Sequence, residues 1–343
     1  MINRRTFNTA MGLGTGAAAA SLAGLQGVSS AAPDLATTAG AHTSFPSLKQ
    51  VKAGLLEVGY AELGPAHGPV VMCLHGWPYD IHSYVDVAPL LAAEGYRVIV
   101  PYLRGHGTTR FLSPRTFRNG QQSAIALDII ALMDALKIHK AVIAGFDWGS
   151  RTGDILAALW PERVKALVSV SGYLITDRKA QLEPLAAAAE HTWWYQFYFA
   201  TERGKKAMED HDHRLQLTRL VWDLVSPTWN FDDATFARTA AAFDNPDYAA
   251  VVIHNYRWRL SVAEGEPRYD RYEEKLATAP PVAVPTITLD PEKDPFTLPG
   301  DGSLYRDKFI GKYEHRTLTG IGHNLPQEAP TAFAQAVVDA DRL

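Results

Sequence analysis

The sequence is poor in cysteine, since Cys73 is the only one among 343 residues. A single thiol excludes a disulfide framework within the chain and a zinc site built from several cysteines. The sequence also lacks a strong excess of either charge, because 33 basic residues meet 37 acidic ones and the formal net charge is −4. That balance gives no indication of a nucleic-acid partner. With 47% hydrophobic and 20% charged residues, extensive disorder is excluded as well.

The first 32 residues differ in composition from the rest of the chain. Arg4 and Arg5 carry the only charges there, and a weakly apolar stretch rich in alanine and glycine follows them. Adjacent arginines followed by Thr6 and Phe7 resemble a twin-arginine export signal. We therefore predict a signal peptide over residues 1–32 and a periplasmic or secreted protein. A membrane anchor is the alternative, but the glycines make this stretch a poor permanent span, and no stable anchor is expected after cleavage.

Between residues 44 and 171, short apolar runs alternate with helical patterns. Runs this short and apolar are typical of strands buried on both faces of a parallel sheet, and the alternation favours helices that flank the sheet. The predicted strands are a hairpin at 51–63 and single strands at 69–74, 96–101, 141–146 and 164–171; the predicted helices are 81–94, 121–136 and 150–159.

The pattern changes over residues 172–279, where no convincing buried strand is found. Five of the eight tryptophans lie in this segment (Trp193, Trp194, Trp222, Trp229 and Trp258). The sheet pattern then resumes at 282–289 and 313–318, with a final helix over 330–341. We predict a core domain over 44–171 and 280–343, interrupted by an aromatic-rich helical lid over 172–279. The predicted lid helices are 181–189, 191–200, 214–224, 233–243 and 246–260.

The strand at 141–146 leads into Gly145-Phe146-Asp147-Trp148-Gly149, and a helix begins just after. This is the strand–turn–helix context of a nucleophile elbow, with Asp147 at the nucleophile position usually held by serine. A carboxylate that attacks a carbonyl forms an anhydride, whereas one that attacks saturated carbon forms an alkyl ester that water can open. Asp147 therefore indicates displacement at saturated carbon. The alternative is a glycine turn in which Asp147 is only a local cap.

Two further groups occur in the chain order expected for this kind of site. His323 follows the last predicted strand and is a candidate general base for water. Asp290 and Asp294 both follow the preceding strand, and either could orient His323 and stabilise its protonated form.

A third group, His75-Gly76-Trp77-Pro78, follows the buried strand at 69–74. The backbone N–H groups of Trp77 and Trp148 are expected to converge on a carboxylate oxygen of Asp147. There they would stabilise the negative charge that develops when water attacks the ester. His75 itself is expected to order the loop rather than to act as a base.

With these motifs, the chain resembles the α/β-hydrolase superfamily over its whole mature length. Within it, the sequence is most similar to the epoxide hydrolases and haloalkane dehalogenases, which share an aspartate nucleophile. The resemblance implies an α/β-hydrolase fold: a mostly parallel sheet flanked by helices, with the lid inserted after the sixth strand. It favours Asp294 over Asp290, because Glu-Lys-Asp before an apolar residue matches the family. His-Gly-Trp-Pro and Asp-Trp-Gly occur in both branches and do not distinguish them.

The lid favours the epoxide hydrolases. Members of that branch use two lid tyrosines as acids towards the epoxide oxygen, and the matching residues are Tyr195 in Tyr-Gln-Phe-Tyr-Phe and Tyr256 before Arg257. Ring opening releases an alkoxide, so a hydroxyl donor is needed there. Tyr198 is the second choice for the first role, on the same helix face. Substrate contacts are expected from Trp77, Trp148, Trp194 and Tyr198.

The resemblance thus implies an enzyme that converts an apolar epoxide to a vicinal diol through an ester of Asp147, without cofactor or metal. The histidines of His211-Asp212-His213 point apart on a helix and are expected at the surface.

A haloalkane or haloacid dehalogenase with the same Asp147, His323 and Asp294 is the alternative, with Trp193 or Trp194 as halide donor. Arg151 matches the second of two arginines with which fluoroacetate dehalogenases hold a carboxylate, but Trp148 takes the place of the first. A non-catalytic binding protein is the third possibility.

Overall fold

The eight predicted strands and one short strand that was not predicted form a nine-stranded sheet in a computed structural model of the protein, which describes residues 40–296 and 300–343. Their order across the sheet is β1-β2-β4-β3-β6-β7-β8-β9, and β5 pairs with β2. All neighbours from β4 to β9 in this order are parallel, whereas β1, β2 and β5 make antiparallel pairs. The mostly parallel sheet is therefore confirmed. The strands are β1 (Leu48–Ala53), β2 (Leu56–Leu63), β3 (Val70–Leu74), β4 (Arg97–Pro101), β5 (Arg110–Phe111), β6 (Ala141–Gly145), β7 (Val164–Val170), β8 (Thr286–Pro291) and β9 (Tyr313–Leu318).

Helices flank this sheet. Helix α1 packs against α12, α2 packs against α3, and both α3 and α12 contact β7. Their bounds are α1 (Val87–Ala93), α2 (Gln122–Ala135), α3 (Trp148–Leu159), α11 (Leu325–Glu328) and α12 (Pro330–Arg342). The predicted helix at 81–94 is divided, because Ile81–Tyr84 forms a separate 3₁₀ turn, capped by the Asp80 carboxylate that accepts from the N–H of His82 at 2.9 Å.

The chain between β7 and β8 is helical, as the sequence predicts. Strand β7 is the sixth strand if the two-residue β5 is left out. The helices of this insertion are α4 (Ala187–Thr192), α5 (Trp194–Ala200), α6 (Glu202–Glu209), α7 (His211–Val225), α8 (Asp233–Ala240), α9 (Tyr248–Arg259) and α10 (Asp270–Leu276). The domain boundaries and the lid role of this insertion stay predictions.

Local predictions fail where proline or charge dominates the sequence. The predicted helix at 181–189 is wrong, because Pro184 forces Glu183 into an extended conformation, with ψ 134°, and α4 begins only at Ala187. Strand β8 begins four residues later than predicted, after Pro285, which has no N–H to donate. Helices α6 and α10 are short and mostly charged, and they contain too few apolar residues to be predicted from the sequence.

The fold brings four loops to one edge of the sheet. The segments that follow β3, β6, β8 and β9 carry Trp77, Asp147, Asp294 and His323, and the carboxyl ends of parallel strands are where sites form in such folds.

The predicted signal peptide, residues 1–32, lies outside the described residues. Within the described ranges, no helix is long and apolar enough to cross a membrane.

Candidate active site

The turn that carries Asp147 is strained. Asp147 lies between β6 and α3 with φ 52° and ψ −119°, a region that residues with a Cβ atom rarely occupy. Strain of this kind is typical of a nucleophile elbow, where it presents the side chain above the sheet.

Two glycines allow other backbone segments to approach this turn. A Cβ atom on Gly149 would meet the backbone carbonyl of Leu74 at the end of β3. A Cβ atom on Gly76 would meet the side chain of Asp147. Because both collisions involve rigid neighbours, the loop after β3 can lie against Asp147 only with glycine at these positions.

The loop after β3 also holds one oxygen of the Asp147 carboxylate. The backbone N–H of Trp77 donates to Oδ1 of Asp147 at 2.8 Å. No hydrogen bond from the N–H of Trp148, the first residue of α3, to this carboxylate is found in the described part of the chain. Of the two donors predicted for this carboxylate, the structure therefore brings that of Trp77 onto it in the resting state.

His323 lies between two carboxylates. Its Nδ1 is 2.6 Å from Oδ2 of Asp294, and its Nε2 is 3.6 Å from Oδ2 of Asp147. Nε2 is buried and has no hydrogen-bond partner among the described residues. The ring is thus fixed on one side by Asp294 and presents its other nitrogen to Asp147.

Asp290, the other candidate acid, has different partners. It accepts a hydrogen bond from the Tyr305 hydroxyl at 2.7 Å, and one of its oxygens lies 3.9 Å from Nε2 of His315. The structure therefore places Asp294, and not Asp290, on the imidazole of His323.

The charges at the site support an ionised Asp147. Burial raises the pKa of its carboxyl, but the nearby ring of His323, the charge of Arg151 and the N–H of Trp77 outweigh this and lower the pKa overall. For His323, burial lowers the pKa, but the neighbouring carboxylates of Asp294 and Asp147 raise it to about 10. At neutral pH the resting site therefore holds a carboxylate beside an imidazolium.

Tyr195 and Tyr256 come together above this group. Their ring centroids are 5.4 Å apart, and each ring also packs against Trp77, at 5.1 and 5.3 Å respectively. Burial raises the pKa of both phenols, and the negative charge of Asp147 adds to this effect. Both hydroxyls therefore keep their protons at neutral and mildly alkaline pH, as a proton donor must.

The other predicted substrate contacts lie around this tyrosine pair. Trp148 packs 6.0 Å from Tyr256, and Tyr198 packs 6.2 Å from Trp194.

Two cavities adjoin the site and share Tyr195 and Phe296 as walls. The smaller, of about 90 Å³, contains Asp147 and His323 in its lining. The larger, of about 330 Å³, is mainly apolar and is lined by Trp194, Tyr195, Val221, Leu224, Val225 and Phe296, among others. A ligand that spans both would place one end at Asp147 and the other among apolar side chains.

The sequence reasoning missed Arg259 and Gln196, which line the smaller cavity together with Arg151 and Trp193. Helical spacing was the available signal. Arg259 follows Tyr256 by three residues on α9, and such residues share a helix face.

Other polar groups near the elbow maintain its loops. The imidazole of His75 has contacts with the carbonyl of Gly76 at 3.0 Å and the N–H of Leu103 at 3.1 Å. Burial keeps its pKa well below the usual value, so the ring is neutral.

On the surface, His211 pairs with Asp212 and His213 with Asp210. No group of three or more histidine, cysteine, aspartate or glutamate side chains in the described ranges is arranged to hold a metal ion.

Comparison with known families extends over most of the chain. A family model for the alpha/beta hydrolase fold matches residues 69–330. Epoxide hydrolase B of Mycobacterium tuberculosis is 27% identical over 190 residues, covering 52% of this chain, so the chain spans about half (51%) of that relative's length. Epoxide hydrolase A of the same species is 23% identical over 317 residues, covering 86% of this chain and 97% of that protein.

Solved structures show the same similarity. The crystal structure of a candidate epoxide hydrolase from Klebsiella pneumoniae is 58% identical, covers 87% of this chain and 98% of its own, and has a TM-score of 0.85. Potato epoxide hydrolase I is 20% identical with a TM-score of 0.68 and covers 85% of this chain and 98% of its own, a likeness that concerns the fold alone.

Proposed function

Because the chain belongs to the α/β-hydrolase family, we propose that its carboxylate nucleophile makes it an epoxide hydrolase. The observation that carries the proposal is the set around Asp147: an ionised carboxylate on the elbow, a buried imidazole 3.6 Å away, and two protonated phenols above. Epoxide hydrolases among the relatives support the same conclusion.

In the first step, Asp147 attacks a carbon of the epoxide. Oδ1 is held by the N–H of Trp77, which leaves Oδ2 free to attack. The carbon–oxygen bond of the ring breaks, and the ring oxygen takes a proton from Tyr195 or Tyr256. The product is a glycol monoester of Asp147, whose carbonyl oxygen is Oδ1 and already lies at an N–H donor.

In the second step, water opens this ester. Nε2 of His323 accepts a proton as the water oxygen attacks the ester carbon of Asp147, while Asp294 stabilises the imidazolium. Negative charge develops on Oδ1, where the N–H of Trp77 stabilises it. Collapse breaks the bond to the glycol oxygen, which takes the proton from His323, so that a vicinal diol leaves. The second proton of the attacking water passes from the new carboxyl group of Asp147 to the tyrosinate, which restores both the carboxylate and the phenol.

The shape of the site indicates the kind of epoxide. The smaller cavity admits little beyond the reacting ring, and the larger one offers mainly apolar walls. The proposed substrate is therefore a small molecule with an oxirane and an apolar arm.

The experiment is to offer purified protein an aryl epoxide and a bromoalkane, and to measure diol and halide separately. Diol from the wild type and none from Asp147→Asn, with an unchanged circular dichroism spectrum, is the expected result. Halide without diol would establish the dehalogenase alternative. Neither product would favour a binding protein.

We also propose that the protein is exported, on the basis of Arg4 and Arg5. In a bacterium with a twin-arginine pathway, the full chain should be recovered outside the cytoplasm, and Arg4→Lys with Arg5→Lys should retain it inside. Equal distribution of the two forms would overturn this proposal.

A further inference from the structure

Two arginine side chains line the small cavity at Asp147. Arg151 lies on α3, one turn after Asp147, and Arg259 ends α9, one turn after Tyr256. Both line the cavity of about 90 Å³ in which the nucleophile lies. The charge of Arg151 helps to keep Asp147 ionised, but the reaction proposed above assigns neither arginine a contact with the substrate.

Neither arginine has a carboxylate partner within 4.0 Å among the described residues. Arg151 is only 7% exposed, and its side chain makes one hydrogen bond in the described part of the chain, from Nε to the carbonyl of Leu174 at 3.0 Å. That bond leaves its two terminal nitrogens to face the cavity. The side chain of Arg259 makes no hydrogen bond among the described residues; its Nε is buried, and its guanidinium lies 5.8 Å from the ring centroid of Tyr256.

Arg104, another buried arginine of this protein, has acceptors that Arg151 and Arg259 lack. Arg104 is 1% exposed and donates to both carboxylate oxygens of Asp128, at 2.6 and 2.8 Å, and to the carbonyls of Asn119 and Ala124. A buried guanidinium needs such partners to offset the loss of water. Arg151 and Arg259 lack them, so their missing partner is expected to be a ligand.

The neighbouring acid does not neutralise Arg151. Asp154 lies one turn further along α3, but burial raises the pKa of its carboxyl to about 8, so it is largely protonated at neutral pH. Burial and the positive charge of Arg259 both lower the pKa of Arg151, to about 10, which still leaves it charged. Around the cavity, three positive side chains (Arg151, Arg259 and His323) thus meet two carboxylates (Asp147 and Asp294).

Building on the proposed function, we infer that the substrate is an epoxide that carries a carboxylate close to the oxirane, held by Arg151 and Arg259. A planar guanidinium matches a carboxylate with paired hydrogen bonds. Both arginines lie one helical turn from the residues that open the ring, so the carboxylate must lie close to the oxirane. The apolar arm extends into the larger cavity past Tyr195 and Phe296.

A carboxylate on the substrate also balances the charges of the two arginines through the cycle. Esterification removes the negative charge of Asp147 while both arginines remain charged. A carboxylate on the bound substrate supplies the missing negative charge and keeps the intermediate in place while His323 activates water.

The test compares two epoxides that differ at one substituent: trans-3-phenyloxirane-2-carboxylate, and trans-2-methyl-3-phenyloxirane, in which methyl replaces the carboxylate. The wild type should prefer the carboxylate by about 10- to 100-fold in kcat/KM, the range expected for hydrogen bonds to a charged group. Arg151→Gln and Arg259→Gln should each lower kcat/KM for the carboxylate much more than for the methyl compound, mainly by raising KM, so that most of this preference is lost. Arg203→Gln, an exposed position on α6, makes the same charge change away from the cavity and should leave the preference intact.

If Arg151→Gln fails to fold, Arg259→Gln still tests the inference, because the side chain of Arg259 makes no hydrogen bond within the described residues. Equal turnover of the two epoxides by the wild type, or equal losses on both in the arginine variants, would overturn this inference and leave the proposed function standing. No diol from either epoxide would instead overturn the proposed function, and this inference with it.

Discussion

Nδ1 of His323 lies 2.6 Å from a carboxylate oxygen of Asp294, and both side chains are buried. Since Nε2 lies 3.6 Å from Asp147, the imidazole stands between two carboxylates, which raise its pKa to about 10 against the effect of burial. In the proposed reaction His323 accepts a proton from water, so its pKa must fall during the cycle. The proposed esterification of Asp147 would lower that pKa, because it removes one of the two negative charges.

We therefore expect the ester to accumulate more in mildly acidic than in mildly alkaline buffer. The pKa of Asp147 is lowered, so its carboxylate is available for attack across this range. Neutral His323 becomes more abundant as the pH rises, so hydrolysis of the ester accelerates while its formation does not. Mass spectrometry of enzyme quenched with acid during turnover measures the esterified fraction. A fraction that increases with pH would contradict this order of events.

Replacing the base should trap the intermediate. His323→Gln retains a side chain of similar size but cannot accept the proton of water, so hydrolysis should slow by about 100-fold or more. Intact mass after incubation with a substrate epoxide should increase by the mass of that epoxide. The double variant with Asp147→Asn should show no increase. Rapid turnover by His323→Gln, without added mass, would mean that another group activates the water.

The buried ion pair of Arg104 and Asp128 should contribute to the stability of the fold. Asp128→Asn leaves Arg104 as a buried cation with only carbonyl acceptors, and we expect a loss of about 3–5 kcal/mol in the free energy of unfolding. Denaturant titration measures this loss. The exposed pair of Arg219 and Asp233 provides a comparison, because Asp233→Asn should cost less than about 1 kcal/mol. Similar losses for the two variants would show that burial of Arg104 is not decisive.

Much of the fold could be predicted because its strands are locally distinctive. Strands β3 and β6 are short apolar runs with a glycine at or just beyond their carboxyl ends, and such runs have few other possible structures. Helix α6 could not be predicted in the same way, because it is short, mostly charged and has few apolar residues, and its helical state is settled by packing against α5 and α7.

The residues of the candidate site also differ in how far the sequence predicts them. Asp147 and His323 occur in loops whose type and chain order indicate chemistry. Asp290 lies within β8 and Asp294 four residues later; the family resemblance favours Asp294, and the structure shows its carboxylate on the imidazole. Arg259 belongs to a helix far along the chain from Asp147. Its three-residue spacing from Tyr256 is a signal for a shared helix face, but its place in the cavity depends on how α9 packs on the core.

The tyrosine pair should be needed for epoxides but not for better leaving groups. Replacing both Tyr195 and Tyr256 with phenylalanine removes the proton donors for the ring oxygen while keeping the aromatic packing around Trp77. We expect the rate of ester formation from an epoxide to fall by about 100-fold or more, the usual contribution of a general acid. Stopped-flow tryptophan fluorescence, calibrated by intact mass, measures that rate. Tyr272→Phe, which alters a tyrosine stacked on Trp160, serves as the control and should leave the rate unchanged. Undiminished ester formation in the double variant would mean that the ring oxygen leaves without these hydroxyls and would favour the dehalogenase alternative.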